Sequence, residues 1–164
     1  MTSVEEYAAQ PRNRRLRRLA LTVDQLQAAI EDSAAAALAR RPAPQAWAPV
    51  EIICHLRDTE EWFLIRCRWA IEMDEPRFPR NNPDRWASER QYLRNDIAVA
   101  LQSFRRWREE SIAFFSQLAE SSWARGGVHL DSRGRRTLDE FLSIMAWHDD
   151  NHLEQLVRAL AGRP

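Results

Sequence analysis

The chain has 164 residues, with 24 basic and 24 acidic side chains and no formal net charge; this balance excludes a general nucleic-acid binder, which needs a basic footprint. At 45% hydrophobic and 29% charged residues it is composed as a globular protein rather than a disordered one, and its length suits a single domain over 1–164. No apolar run reaches the roughly 18 residues of a membrane span and the first ten residues lack an apolar signal segment, so the expectation is a cytoplasmic protein without membrane contact.

Strand signals are nearly absent and the pattern is helical throughout. A first helix is predicted from about Arg12 to about Glu31, with Leu16, Leu19, Val23, Leu26 and Ile30 at helical spacing. Thr22-Val-Asp-Gln25 resembles a capping box and marks a potential break. A short alanine-rich turn over Ser33 to Ala39 follows, ended by Pro42 and Pro44. The second helix starts at Pro49, a favoured first-turn residue, and runs to about Met73. Pro76 to Asn95 is a long connection, in which Pro83-Asp-Arg-Trp86 opens a short helix; connections of that length in a compact domain are often functional. The third helix spans about Asp96 to Glu120. Ser121 to Arg136, with Gly126-Gly127 and Arg133-Gly134, holds turns or a small hairpin. Thr137-Leu-Asp-Glu140 is a capping box and opens the fourth helix, which ends at Gly162.

Every basic residue is arginine, which removes lysine Schiff-base chemistry. Cys54 and Cys67 on one helix would stand about 20 Å apart along its axis, too far for a disulfide, and read as buried small hydrophobes. The basic cluster Arg12, Arg14, Arg15, Arg17 and Arg18 reads as a solvated face balanced by Glu5 and Glu6.

The histidines are the informative feature. On the fourth helix Leu138, Phe141, Met145, Leu156 and Ala159 fall within about 80° of His148, and His152 falls about 40° away; Ser143, Asp150 and Glu154 lie on the far side. On the second helix Arg57, Glu61 and Arg68 form a charged ridge, and His55 points about 120–160° away from it. Three inward histidines suggest a metal. An i, i+4 pair brings two rings to one ion, a third ligand arrives from a facing helix, and three protein ligands leave a position open, as catalytic sites do.

Other residues keep alternatives. Asp58 is an outer partner of the ion, a base, or a partner of Arg66; Glu51 has the same ambiguity. His129 reads as a loop hydrogen-bonder. Asp149 and Asp150 are poorly aimed as ligands. Trp47, Trp62 and Trp147 read first as core and second as pocket lining.

At these residues the sequence resembles the DinB-like family, also called the thiol S-transferase-like superfamily, many members of which are labelled metal-dependent hydrolases. The carriers are Trp47-Ala-Pro-Val-Glu-Ile-Ile-Cys-His55-Leu-Arg-Asp58, Glu75-Pro-Arg-Phe78 and Trp147-His148-Asp-Asp-Asn-His152-Leu153. The resemblance implies an all-α four-helix bundle connected up-down-down-up. It implies one divalent ion, nickel, zinc, iron or manganese, on His55, His148 and His152, and homodimers in many members. It also implies low-molecular-weight thiols such as bacillithiol or mycothiol as cosubstrates. The expected function is thiol transfer to a small electrophile, or hydrolysis of a small substrate; the rival is a non-enzymatic metal-binding stress or structural module.

Overall fold

The structure is a computed structural model and describes residues 3–130 and 134–164. Its helices are α1 (Val4–Ala8), α2 (Arg12–Ile30), α3 (Ala35–Leu38), α4 (Pro49–Glu72), α5 (Pro83–Glu89), α6 (Ile97–Ser116) and α7 (Leu138–Leu160). Three short strands, β1 (Arg77–Phe78), β2 (Gly126–His129) and β3 (Arg135–Thr137), form one small sheet.

Local chemistry starts the long helices. Asp96 caps α6 by accepting from the Ala98 and Val99 N–H groups at 2.8 and 3.1 Å. Thr137 and Glu140 make the reciprocal box at the head of α7. At α4 the N-cap is Ala48, which has no side-chain acceptor. Pro49 takes the first turn, and the Glu51 carboxylate accepts from the Ala48 N–H at 2.9 Å and from the Arg41 guanidinium. That resolves Glu51: it closes a helix start.

Interhelical bonds fix the directions. Arg12 and Arg15 on α2 reach Asp139 on α7, and further along Arg18 and Thr22 reach Asp150 and Asp149, so these helices run parallel. Arg105 reaches back to Gln27 while Arg108 reaches Leu19, which makes α2 and α6 antiparallel. His55 meets His148, and Phe63 meets Phe141, so α4 and α7 are antiparallel. The order is up-down-down-up. Parallel neighbours α4 and α6 require a chain that returns along the bundle, and a 24-residue helix is about 36 Å long. The Pro76–Asn95 stretch is therefore long because it must cross over; it holds β1, α5 and a single 3₁₀ turn at Tyr92–Arg94.

Several expectations are corrected. No break occurs at Thr22: the helix is continuous, and the Thr22 hydroxyl is buried against Asp149. The third helix ends at Ser116 rather than Glu120, and the chain turns so that Trp123 stacks on Phe115 at 5.7 Å. The second connection does hold a hairpin, β2 pairing antiparallel with β3, while β1 joins parallel through Phe78 and His129. Arg133, half of one predicted turn marker, lies outside the described residues. Gly127 permits the sheet: a Cβ there would stand 2.5 Å from both the Phe78 ring and the Pro76 carbonyl oxygen.

The arginine cluster is a solvated face only in part: Arg14 and Arg17 are exposed, while the other three find partners. Arg15 is buried and donates to Asp139 and Ser143; Arg12 binds Asp139 and Glu120; Arg18 binds Asp150, which also accepts from the Tyr7 hydroxyl. Glu6 instead accepts from the Ser3 backbone. Ser143, placed on the far side by the helical wheel, is fully buried because Arg15 covers it. On α4 the expected solvent ridge is narrower, since Arg57 lies against Asp58 and the Tyr92 ring.

The interior has two apolar clusters. One gathers Leu26, Ile52, Ile53, Phe104 and Leu156; the other gathers Leu19, Phe63, Phe78, Phe115 and Phe141. Between them in sequence on all four long helices lies a buried ionic layer of Thr22, Glu60, Arg108 and Asp149. Cys54 and Cys67 are free and fully buried, as expected, and burial pushes the Cys54 thiol up to about 11.

The Asp139 contacts make a pH prediction. Burial raises its carboxyl, but hydrogen bonds from Arg15 and Arg12 outweigh this and leave it below the usual 3.8. A carboxylate with a depressed folded pKa contributes stability that is present above its unfolded value and lost as pH falls through the folded one. Urea midpoints should therefore separate the parent from Asp139→Ala at pH 7, and the gap should close as pH falls below 3.8.

Candidate metal centre

The α4 stripe His55, Thr59 faces the α7 stripe His148, His152 because the two helices run antiparallel with these residues at one level. The ring centroids stand 5.1 Å apart for His55 and His148, 4.5 Å for His55 and His152, and 4.3 Å for His148 and His152. One nitrogen from each ring falls in a group whose members all lie within 4.8 Å of one another. The His55 and His148 Nε2 atoms are 3.0 Å apart; two nitrogens each about 2.0–2.1 Å from one zinc ion stand roughly 3.3 Å apart in tetrahedral geometry.

The electrostatics favour ligands. Burial, with the neighbouring His152, pushes His55 down to about 3. Burial and the other two imidazoles push His148 well down, and burial pushes His152 down. All three rings are thus neutral at pH 7 and carry a lone pair, which is the form a cation binds. Gln155 sets one tautomer. Its Oε1 can only accept, so the His152 Nδ1–H donates to it at 2.7 Å and leaves Nε2 free for an ion. The Thr59 hydroxyl stands 3.3 Å from His55 Nδ1, and Trp47 packs on the His55 ring at 4.8 Å. Three neutral nitrogen donors suit zinc, nickel or iron, so the residues present fit a divalent ion.

Losing an oriented outer partner typically costs 10–100-fold in metal affinity, so Gln155→Leu should weaken binding by about that factor while Gln155→Glu retains most of it. Competition against a chromogenic chelator reads this directly.

The remaining candidates separate. Asp58 is buried, and its carboxylate accepts from Arg57, the Tyr92 hydroxyl and Arg90, each at 2.6 Å. None of its hydrogen bonds among the described residues reaches an imidazole, and its suggested partner Arg66 donates instead to the Pro79 carbonyl at 2.8 Å. Asp149 is held by Arg108 and Thr22 in the ionic layer, and Asp150 by Arg18 and Tyr7.

A cavity of about 300 Å³ opens beside the histidines. His55, Thr59, Trp62, Phe63 and Arg66 line it from α4; Phe141, Ile144, Trp147 and His148 line it from α7. Asn81 and Pro83 from the crossover and His129 and Arg136 from the hairpin close it. Trp62 and Trp147 are thus pocket walls before they are core. His129 is not a loop residue: β2 carries it, it is buried, and its ring meets Phe78 at 5.3 Å. Only the pairing of β2 with β1 brings it here, and nothing in its sequence neighbourhood signals that.

Residues 4–156 match the DinB superfamily. Two solved structures share the fold. One is YfiT from Bacillus subtilis, described as a probable metal-dependent hydrolase with an unusual four-helix bundle topology. It is similar at TM-score 0.85 and 18% identity, over 90% of this chain and 85% of that one. The other is a mycothiol-dependent maleylpyruvate isomerase, at TM-score 0.72 and 13% identity, of which this chain spans 63% while 95% of this chain is covered. No curated protein matches the chain. No helix among the described residues is long and apolar enough to cross a membrane.

Proposed function

The chain belongs to the DinB superfamily, and from that membership we propose that it is a metal-dependent enzyme that transfers a low-molecular-weight thiol to a small electrophile. The observation that carries the reading is the convergence of His55, His148 and His152, all neutral, with His55 and His148 opening onto a cavity large enough for a small molecule. A divalent ion held there lowers the pKa of a thiol or water beside it.

The chain's own residues divide the remaining work. His55, His148 and His152 hold the ion. Thr59 and Gln155 fix two of the rings. Trp62, Phe63, Phe141 and Trp147 exclude bulk water. Thiol is preferred over water as nucleophile because one solved structure that shares the fold is a mycothiol-dependent isomerase. A thiol, at about 8.5, needs only a modest shift to ionise beside an ion. Asp58 takes no part, being engaged by Arg57, Tyr92 and Arg90. The sulfur electron pair forms the new C–S bond, the leaving group or π-bond takes the displaced pair, and the thiol proton goes to solvent.

The test is a screen of the metal-loaded chain with cysteine, glutathione, bacillithiol and mycothiol against 1-chloro-2,4-dinitrobenzene, beside p-nitrophenyl acetate without thiol. Thiol-dependent turnover lost in His148→Ala supports the proposal. Thiol-independent ester cleavage would replace it with hydrolysis. No turnover, with a large fall in melting temperature on chelation, would favour the non-enzymatic module.

A further inference from the structure

The cavity's composition points to the body of the substrate. Its α4 wall is one stripe from His55 to Arg66, about 16 Å of helix. Because α7 runs the other way, Trp147 and His148 stand at the His55 end and Phe141 at the Arg66 end. The space is therefore an elongated slot with His55 and His148 at one end and aromatic or branched apolar side chains along its length, with Arg66, Asn81, His129 and Arg136 supplying polar groups elsewhere in the lining.

The walls are fixed in place. Trp62 is held edge-on by Trp69 at 5.9 Å and by Trp86 at 6.3 Å, and the Arg66 guanidinium lies 4.9 Å from its ring. Phe63 meets Phe141 and His148 edge-on, each at 5.9 Å. Rigid aromatic walls favour a flat ring, which gains stacking and edge contacts without ordering the site. A hydroxyl laid against these rings would be unpaired there, so the polar groups of a substrate belong beside Arg66, Asn81, His129 or Arg136.

We propose that the substrate presents a flat aromatic body, seated between Trp62, Phe63, Phe141, Ile144 and Trp147, with its reacting atom turned to His55 and His148. The inference rests on the reading of the three histidines as the reacting end.

The test is ¹⁹F NMR titration of the full chain with 4-fluorobenzyl alcohol and with 2-fluoro-2-deoxyglucose, a ring without aromatic faces. The aromatic probe should bind at least ~10-fold more tightly. Ile144→Trp, which fills the slot, should weaken it by ~10-fold or more. Should that variant not fold, Trp147→Ala removes bulk instead and should also weaken it. Equal binding of the two probes, or aromatic binding unmoved in the folded variants, overturns the inference. Metal content is measured on the same samples. A chain that loads one ion but ignores the aromatic probe defeats this inference alone; a chain that binds the probe but no ion defeats the proposed function alone.

Discussion

Replacing His148 with alanine should strip the chain of its divalent ion and abolish turnover. Its Nε2 stands 3.0 Å from that of His55, and its ring lies between the other two imidazoles and the Phe63 wall. Removing it leaves two donors on different helices, His55 and His152. Losing an outer partner costs about 10–100-fold in affinity, and losing a ligand outright should exceed that. Elemental analysis of untagged protein should find near one ion per chain in the parent and none in His148→Ala. The fold should survive, because the ring is only half-buried and its removal also takes away a polar group that needs a partner. An ion retained at full stoichiometry would show that the histidines are not the ligands.

Arg108→Ala should be the most destabilising single substitution in the bundle. The Arg108 guanidinium donates to Glu60 at 3.0 and 2.8 Å, to Asp149 at 2.9 Å and to the Leu19 carbonyl at 2.9 Å, with all four groups away from solvent. Burial opposes its charge, but the two carboxylates outweigh that and raise its pKa. Breaking a buried pair by removing one partner costs about 3–5 kcal/mol, because the charge left behind stays buried. In a chain of this size that is a fall in melting temperature of roughly 10 °C or more. Arg108→Met combined with Glu60→Leu and Asp149→Leu should recover much of the loss, since an apolar layer of similar volume replaces the ions. If Arg108→Ala unfolds within about 1 kcal/mol of the parent by urea titration, water must reach the layer.

The long helices were legible because their signals are local. Thr137 with Glu140, Asp96, and Pro49 each announce a helix within a few residues, whereas the part Glu51 plays at the α4 start was not read from the sequence. The His148, His152 pair was legible for the same reason, being four residues apart on an apolar stripe. What failed depended on distant partners. A two-residue strand such as Arg77–Phe78 has no periodicity, and only its register with Val128 and His129 makes it a strand. Arg15 and Ser143 each look solvent-bound on a helical wheel, yet each buries the other across two helices. The cavity was invisible because Asn81, Pro83 and His129 come from connections whose course follows from the crossover.

The same crossover has a consequence for synthesis. His55 and His148 are separated by 93 residues, and at a translation rate of about 5–20 residues per second the second emerges roughly 5–20 s after the first. Through that interval α4 exists without α7. Its apolar faces are uncovered, and Cys54 and Cys67, inert in the finished bundle, are open to oxidants. Loading of the proposed ion would thus follow the last long helix out of the ribosome, and the nascent α4 is the segment for which a chaperone would compete.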